Sequence, residues 1–303
     1  MERIEPTPIL FLEEYQGNQI YVMRDDLIPF SFGVNKVRKA LLFFQEIHRG
    51  GHDTVVTYGS GSSNHCRVIA NMAAAQGIPC IVISADDECF GINRHMVTDL
   101  FGAQIRTCSV DNVAQTIENT LLLLKKQEKN PYFIQGGGHG NTGTKAYDLA
   151  YDEIARFSRQ KNTMFDYVFL ASGTGTTQAG LICGKLRYGF DQQKIVGISI
   201  ARKNPRGGQV VAQSVKDYMG MDPGEHLIFD DRYICGGYGC RDAGVDTTIQ
   251  RMMVQHGLPL DPTYTGKAYA GMEQYIAEHK IAGKNILFIH TGGTPLFFDW
   301  VKD

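Results

Sequence analysis

Short apolar runs rich in β-branched residues recur along the chain, and longer stretches of helical character separate them. No other feature of the sequence constrains the fold as strongly. The runs cover residues 54–58, 78–84, 104–110, 131–135, 167–171, 194–200 and 285–290. Because parallel strands need long crossover connections, this alternation predicts an α/β protein with mostly parallel sheets covered by helices. A glycine follows each of the predicted helices, which cover 64–76, 176–188 and 246–256.

The composition limits the kinds of partner and the location that we expect. A chain of 303 residues can form one large or two medium domains. The net charge of -2 and the scattered charges argue against nucleic acid or a membrane surface as a partner. The sequence shows neither a leader pattern nor an apolar run long enough to cross a bilayer. Seven cysteines without a Cys-x-x-Cys pair predict reduced thiols, no metal site and a cytoplasmic location.

Turns rich in glycine or serine follow several predicted strands, where open α/β sheets collect ligands. These turns cover residues 59–63, 136–138, 172–177 and 291–293. The turn at 172–177, Ser-Gly-Thr-Gly-Thr-Thr, opens a predicted helix. Its backbone N–H groups, its hydroxyls and the helix dipole can therefore bind one phosphate. It lacks the Gly-Lys-Ser or Gly-Lys-Thr of a nucleotide P-loop, and a tight turn without a ligand is the alternative.

The turn at 59–64 permits two interpretations. The hydroxyls of Ser62 and Ser63, together with the amides of a helix start, can bind a carboxylate. The same turn partly matches a dinucleotide fingerprint, because Asp86 and Asp87 follow the next predicted strand. Asn64 weakens that second interpretation, since it replaces the glycine that lets helix and strand pack closely.

Lys36 precedes the apolar run 40–44, which places it at the mouth of a predicted buried helix. Burial there would lower the pKa of its amine and favour the uncharged form that imine chemistry needs. A single lysine is more often a solvated surface charge. Combined with a phosphate-binding turn and a carboxylate-binding turn, however, Lys36 indicates a pyridoxal phosphate site.

Four further side chains carry weaker signals. Tyr238 and Tyr264 lie in turn-rich sequence, where aromatic residues often line sites, although ordinary packing of a tyrosine is the alternative. His65 and His139 are typical of hydrogen-bonded structural histidines. Chemistry alone assigns neither histidine a catalytic step.

Together these segments resemble the D-cysteine desulfhydrase and 1-aminocyclopropane-1-carboxylate deaminase family of fold-type-II (tryptophan-synthase-β-like) pyridoxal phosphate enzymes. The resemblance spans nearly the whole chain. It rests on Pro6-Thr7-Pro8, Arg24-Asp25-Asp26-Leu27, Asn35-Lys36-Val37-Arg38-Lys39, Ser63-Asn64-His65, Leu260-Asp261-Pro262, Tyr264-Thr265-Gly266-Lys267 and His290-Thr291-Gly292-Gly293. It implies a homodimer whose two lobes, each an open and mostly parallel twisted sheet covered by helices, bind the cofactor between them. We expect residues 1–45 and 151–303 to form the larger lobe, and 46–150 the smaller lobe on the substrate-carboxylate side.

The resemblance also implies which residues bind the cofactor. Lys36 would form the Schiff base and move the proton at the substrate α-carbon. Asn64 would bond the ring hydroxyl, and Thr291 would face the pyridine nitrogen. The phosphate would be held by Gly173, Thr174, Gly175, Thr176 and Thr177.

The remaining assignments concern the substrate. Ser62 and Ser63 would bind its carboxylate, and His65 would lie in the same pocket. Tyr238 and Tyr264 match the two active-site tyrosines of the family. Ser63 and both tyrosines are therefore expected to take part in catalysis.

Thr291 bears on the type of reaction. A threonine hydroxyl cannot keep the pyridine nitrogen protonated as a carboxylate would, so the ring becomes a weaker electron sink. A poorly delocalised carbanion expels a β-leaving group instead of persisting until it is reprotonated. We therefore expect α,β-elimination, which yields a keto acid and ammonia, with Lys36 as the base.

Two positions select a branch of the family. Thr265 and His65 look like the desulfhydrase branch. In the cyclopropane deaminase branch, the resemblance implies a Glu and a Gln at these two positions. The chain departs from both branches at Phe32-Gly33-Val34 and at Ser62. We predict elimination from a small amino acid, D-cysteine or a β-substituted relative. The alternatives are the cyclopropane deaminase, a racemase or β-replacement enzyme on the same scaffold, and a non-catalytic protein that binds a nucleotide or cofactor.

Overall fold

The computed structural model describes residues 4–85 and 96–302, and the chain divides into two units. The small unit consists of Lys36–Thr142, and the large unit consists of Arg3–Asn35 and Gly143–Asp303. The small unit is thus inserted into the sequence of the large one. Asp86 and Asp87, which entered the dinucleotide interpretation, lie outside the described residues.

The described residues form helices and strands in alternation over most of the chain. The strands are β1 (Ile9–Tyr15), β2 (Asn18–Arg24), β3 (Thr54–Tyr58), β4 (Cys80–Ala85), β5 (Gln104–Cys108), β6 (Pro131–Ile134), β7 (Tyr167–Ser172), β8 (Lys194–Ser199), β9 (Leu227–Asp230) and β10 (Asn285–His290). The helices are α1 (Lys36–Arg49), α2 (Asn64–Ala75), α3 (Met96–Leu100), α4 (Val113–Lys126), α5 (Asn141–Lys161), α6 (Thr176–Tyr188), α7 (Arg206–Met219), α8 (Ala243–His256), α9 (Thr265–Glu278) and α10 (Thr294–Lys302).

The large unit contains a six-stranded sheet in the order β1-β2-β10-β7-β8-β9. Only β1 is antiparallel to its neighbour, and the other strands run parallel. The register pairs Ser172 with Ser199 and Ile289 with Leu170, so the carboxyl ends of β7, β8 and β10 meet at one edge. Phe169, Phe288 and other apolar side chains of these strands are fully buried, as expected for a sheet covered on both faces.

Helices α5 and α6 approach each other closely within the large unit. A Cβ added at Gly180 would lie 2.3 Å from the carbonyl oxygen of Thr144, and one added at Gly184 would lie 2.3 Å from Cβ of Tyr151. Two glycines one turn apart therefore create the space in which α5 packs. This contact fixes the position of α6, whose first turn follows the predicted phosphate turn.

The small unit contains a four-stranded parallel sheet in the order β5-β4-β3-β6. Val56, Ile81, Ile83 and Leu124 form a buried cluster between this sheet and α4. The predicted α/β fold with two mostly parallel sheets is confirmed. The limits predicted from the sequence, 45/46 and 150/151, fall within α1 and α5, whereas the units divide before Lys36 and after Thr142. Among the described residues, no helix is both long and apolar enough to cross a membrane.

Candidate active site

The turn between β7 and α6 has the features of a phosphate-binding loop. Strand β7 ends at Ser172, and α6 begins at Thr176. Gly175 occupies the N-cap position with a φ of 92°, a conformation that favours glycine. Because glycine has no side chain, the N-cap residue itself does not cap the first N–H groups of α6. Helix N-termini of this kind bind phosphate through these N–H groups and the helix dipole.

Asn35 links this loop to the end of β10. Its side-chain amide donates a hydrogen bond to the hydroxyl of Thr177 at 3.3 Å. Its backbone N–H donates to the carbonyl of Thr291 at 3.0 Å. Thr291 is buried and directly follows β10, next to β7 in the sheet. The large unit therefore places Thr291 and the phosphate loop at the ends of neighbouring strands.

Lys36 directly follows Asn35 and is the first residue of α1 in the small unit. Its side chain is partly buried, and burial lowers the pKa of its amine to about 8. About one tenth of Lys36 is therefore in the uncharged, nucleophilic form at pH 7, far more than for an exposed lysine. Lys39, on the next turn of α1, is buried, and burial and the charge of Lys36 hold its pKa well below the usual value for lysine.

Ser63 and Asn64 begin α2 in the small unit. Ser63 is the N-cap, and its hydroxyl accepts a hydrogen bond from the N–H of Cys66 at 3.3 Å. The amide oxygen of Asn64 accepts a hydrogen bond from Arg67 at 2.8 Å, so the amide nitrogen is the end left to donate to a ligand. Ser62 precedes them in the turn and is partly exposed. A hydroxyl, an amide and a helix N-terminus thus meet at one end of α2.

His65 is buried on α2, and its hydrogen bonds define its tautomer. The hydroxyl of Thr57 donates to the carbonyl of Ile134 at 2.8 Å, so it can only accept from Nε2 of His65, also at 2.8 Å. Burial, aided by the charges of Lys36 and Lys39, holds the pKa of His65 well below its usual value. The ring is therefore neutral with a lone pair on Nδ1, which has no partner among the described residues.

Tyr238 and Tyr264 lie together in the large unit. Their phenol oxygens share a hydrogen bond at 2.5 Å, and the rings meet edge to face with centroids 5.9 Å apart. From the sequence, each tyrosine was interpreted separately. No sequence pattern shows that the two phenols are hydrogen-bonded to each other. Tyr264 immediately precedes α9, whereas Tyr238 lies in the loop before α8.

Asp261 fixes the backbone around Tyr264, and this residue was not identified as functional from the sequence. Its buried carboxylate accepts hydrogen bonds from the backbone N–H groups of Thr263, Tyr264 and Thr265 at 2.9, 2.7 and 3.0 Å. The hydroxyl of Thr265 also donates to it at 2.7 Å. An aspartate four residues before α9 was the available signal, because aspartate side chains in turns accept hydrogen bonds from the backbone N–H groups that follow them.

Taken separately, the residues of the large unit suit a phosphate and a ring nitrogen, and those of the small unit suit an aldehyde, a ring hydroxyl and a carboxylate. The uncapped start of α6 can hold a phosphate, and Lys36 supplies an amine with a lowered pKa. The neutral side chains of Asn64 and Thr291 suit a ring hydroxyl and a ring nitrogen. The donor set therefore fits pyridoxal phosphate better than a dinucleotide, which needs no lysine.

Comparison with known proteins agrees with this donor set. The profile of the family described as "Pyridoxal-phosphate dependent enzyme" matches residues 1–292. A D-cysteine desulfhydrase from Serratia proteamaculans is 33% identical over 299 residues, which cover 95% of this chain and 90% of that protein. A D-cysteine desulfhydrase from Salmonella paratyphi A is also 33% identical, over 97% of this chain and 93% of that protein.

Solved structures show the same fold. A structure described as an ACC deaminase homologue superposes with a TM-score of 0.88 at 29% identity, covering 99% of this chain and 94% of the other. O-acetylserine sulfhydrylase isoform 3 from Entamoeba histolytica superposes with a TM-score of 0.70 at 17% identity, covering 99% and 90%. The second similarity concerns the fold alone. The predicted fold-type-II architecture is confirmed.

Proposed function

This chain belongs to the family of pyridoxal-phosphate-dependent enzymes, and from that premise we propose that its substrate is D-cysteine. The reaction converts D-cysteine and water to pyruvate, hydrogen sulfide and ammonia. Relatives of that name, similar over nearly the whole chain, support this substrate. The predicted cofactor, pyridoxal phosphate, and the predicted enzymatic character both follow from the family.

The observation that carries the choice of elimination is the environment of Thr265. The resemblance implies a Glu at this position in the cyclopropane deaminases. Here the residue is Thr265, and its hydroxyl is fully buried. It accepts a hydrogen bond from the N–H of Asp261 at 2.8 Å and donates one to the carboxylate of the same residue. The position therefore supports the backbone under Tyr264 and supplies no acid or base for opening a ring.

Each residue of the site has a role in this proposal. When bound, pyridoxal phosphate withdraws electrons from the α-carbon of the substrate and makes its α-proton acidic. The N–H groups and hydroxyls of residues 173–177 hold the phosphate, and Asn64 and Thr291 orient the ring. Ser62 and Ser63 bind the substrate carboxylate at the start of α2.

Two groups move protons. The uncharged amine of Lys36 accepts the α-proton, which its pKa of about 8 permits near neutral pH. The paired phenols of Tyr238 and Tyr264 donate a proton to the departing sulfur. Because the two oxygens share one hydrogen bond, the second phenol stabilises the charge that develops on the first. His65 stays neutral and presents the lone pair of Nδ1 to a donor on the substrate.

We extend the proposal to assembly and location, both on the family resemblance. The enzyme acts as a homodimer in the cytoplasm on a free amino acid. Light scattering on the purified protein measures the first property. A mass of one chain would contradict the dimer.

The test of the function begins with the cofactor. The absorbance spectrum of the purified protein is recorded before and after borohydride, and the reduced protein is mapped by mass spectrometry. We expect a yellow band that bleaches and a pyridoxyl label on Lys36. Lys36→Arg, which retains a cationic side chain, should carry no label at this position.

The substrate is then tested with D-cysteine, L-cysteine and 1-aminocyclopropane-1-carboxylate. Sulfide, pyruvate and ammonia released in equal amounts from D-cysteine support the proposal. Ammonia and a four-carbon keto acid from the cyclopropane substrate, without turnover of D-cysteine, would identify a deaminase instead. Conversion of D-cysteine to L-cysteine without ammonia would identify a racemase.

A further inference from the structure

Lys267 is a buried lysine of the large unit for which the proposed reaction has no direct use. It lies on the first turn of α9, three residues after Tyr264. Its Nζ donates hydrogen bonds to the backbone carbonyls of Ile200, Ile234 and Gly237 at 3.0, 2.9 and 2.7 Å. A neutral amine has only two N–H groups, so three carbonyl acceptors require the ammonium form. This charge persists although burial lowers the pKa of Lys267.

The three carbonyls belong to two segments that converge on α9. Ile200 follows the end of β8, while Ile234 and Gly237 flank the tight turn that precedes Tyr238. After Ile234 the backbone takes positive φ values of 50° at Cys235, 90° at Gly236 and 143° at Gly237. For Cys235 this left-handed conformation is unfavourable and must be maintained by its surroundings. The ammonium of Lys267 binds a carbonyl on each side of this turn.

We propose that Lys267 is a positioning residue that holds Tyr238 against Tyr264. One helical turn carries both Tyr264 and the ammonium that fixes the loop of Tyr238. The 2.5 Å distance between the two phenol oxygens is then set by a single rigid element. The consequence for catalysis rests on the proposed function, in which the phenol pair acts on the leaving group. The consequence for the geometry of the loop does not.

A double-mutant cycle tests whether Lys267 acts through Tyr238. The variants are Lys267→Met, Tyr238→Phe and the double variant, assayed with D-cysteine. Misplacement of a catalytic group by about 1 Å can cost about 100-fold in rate, so we expect each single variant to lose about 10- to 100-fold in kcat/KM. The double variant should be no slower than Tyr238→Phe. Losses that multiply would show that Lys267 acts independently of Tyr238 and would overturn the proposal.

Lys185 provides a matched control for the loss of a buried ammonium. It is equally buried in the large unit, where its Nζ donates to the carbonyl of Gln193 at 2.6 Å and contacts Nδ1 of His226 at 3.0 Å. Lys185→Met should lower the melting temperature as Lys267→Met does. Its effect on kcat/KM should multiply with that of Tyr238→Phe. A cycle with Lys185 that is as non-additive as the one with Lys267 would contradict a specific role for Lys267.

A second measurement needs neither cofactor nor turnover. Lys267→Ala leaves three carbonyls around a space that an ammonium ion can enter and tetramethylammonium cannot. In the apo protein, ammonium chloride should raise the melting temperature of Lys267→Ala more than equimolar tetramethylammonium chloride does, while wild type shows no such difference. Ammonium chloride should also restore the near-UV circular dichroism that Tyr238 contributes in Lys267→Ala. This contribution is the difference between the spectra of Lys267→Ala and of the double variant that also carries Tyr238→Phe.

The outcomes separate the two proposals. If wild type does not turn over D-cysteine but ammonium restores the Tyr238 signal, the proposed substrate is wrong and the role of Lys267 stands. If ammonium restores neither stability nor the Tyr238 signal, the inference about Lys267 is wrong, whatever the substrate.

Discussion

The side-chain amide of Asn35 donates a hydrogen bond to the hydroxyl of Thr177, 3.3 Å away, and so binds the residue before Lys36 to the phosphate loop. Because the oxygen of Thr177 accepts this bond, its own proton is directed elsewhere and can be donated to an anion. The backbone N–H of Asn35 also bonds the carbonyl of Thr291. One residue therefore connects the predicted attachment point of the cofactor to two of its binding segments.

Asn35→Ala should weaken cofactor binding without removing the attachment lysine. A typical hydrogen bond contributes about 1 kcal/mol, so the dissociation constant of pyridoxal phosphate should rise about fivefold. Titration of the apo protein, followed by absorbance, measures this constant. Asn130→Ala is the control, because Asn130 is exposed and bonds the carbonyls of Gly50 and Gly51 within the small unit. An unchanged constant for Asn35→Ala would show that this hydrogen bond does not support the phosphate site.

Lys36 should give cofactor incorporation a characteristic pH dependence. The uncharged amine is the reactive form, and burial lowers its pKa to about 8. The rate of pyridoxal phosphate incorporation into the apo protein should therefore rise with pH, by about tenfold per unit below 8, and level off above it. Stopped-flow absorbance at several pH values measures the rate. A rise that continues toward pH 10 would mean that the amine retains the pKa of an exposed lysine.

The sequence predicted the fully buried strands more accurately than the strands at and next to the edges of the large sheet. The observed limits of β3 and β10 are those expected from apolar runs bounded by turns. Strands β1, β2 and β9 were not predicted. β1 carries Glu13 and Glu14 and borders the sheet, so its burial is irregular and its apolar periodicity is weak.

The site was predictable only where one local segment carries the chemistry. The loop at 173–177 combines glycines, hydroxyls and a helix start in consecutive residues, so its geometry follows from its sequence. The contacts of Lys267 and Asp261 depend on which backbone groups approach them in three dimensions. A buried lysine that binds three carbonyls has the same sequence signature as one exposed to solvent, and no local pattern distinguishes them.

His65 should make the protein less stable in acid. Its pKa is well below 6.5 in the folded protein because it is buried, whereas the unfolded chain takes up a proton near pH 6.5. The unfolded state therefore binds more protons as pH falls below 6.5, and the free energy of unfolding should decrease by up to about 1.4 kcal/mol per pH unit from this group. The dependence of the unfolding free energy on pH is measured by denaturant unfolding of the apo protein at pH values of about 7.5, 6.5 and 5.5. These values lie about one unit above, at and about one unit below the pKa of the histidine in the unfolded chain.

The matched comparison is between two histidine substitutions. His65→Gln keeps an N–H donor for Thr57 but does not titrate, so its unfolding free energy should fall less in acid than that of wild type. His48 is exposed on α1, and His48→Gln is the matched substitution of a histidine outside the core. Equal slopes for wild type and His65→Gln would show that His65 takes up its proton without unfolding.

Gly180 should be intolerant of the smallest substitution. In Gly180→Ala the added methyl group would lie 2.3 Å from the carbonyl oxygen of Thr144 and 2.6 Å from Cβ of Tyr147, so α5 and α6 would have to separate. Overpacking of this kind costs about 1 to 3 kcal/mol, and the backbone contact places this case at the upper end.

Gly208 on α7 is the control, because its nearest neighbour is the side-chain oxygen of Asn204 at 3.2 Å, and alanine gains up to about 1 kcal/mol of helix propensity there. Denaturant unfolding of both variants should show a large loss for Gly180→Ala and a change within about 1 kcal/mol for Gly208→Ala. Equal effects at the two positions would mean that α5 and α6 are not packed as closely as the structure shows.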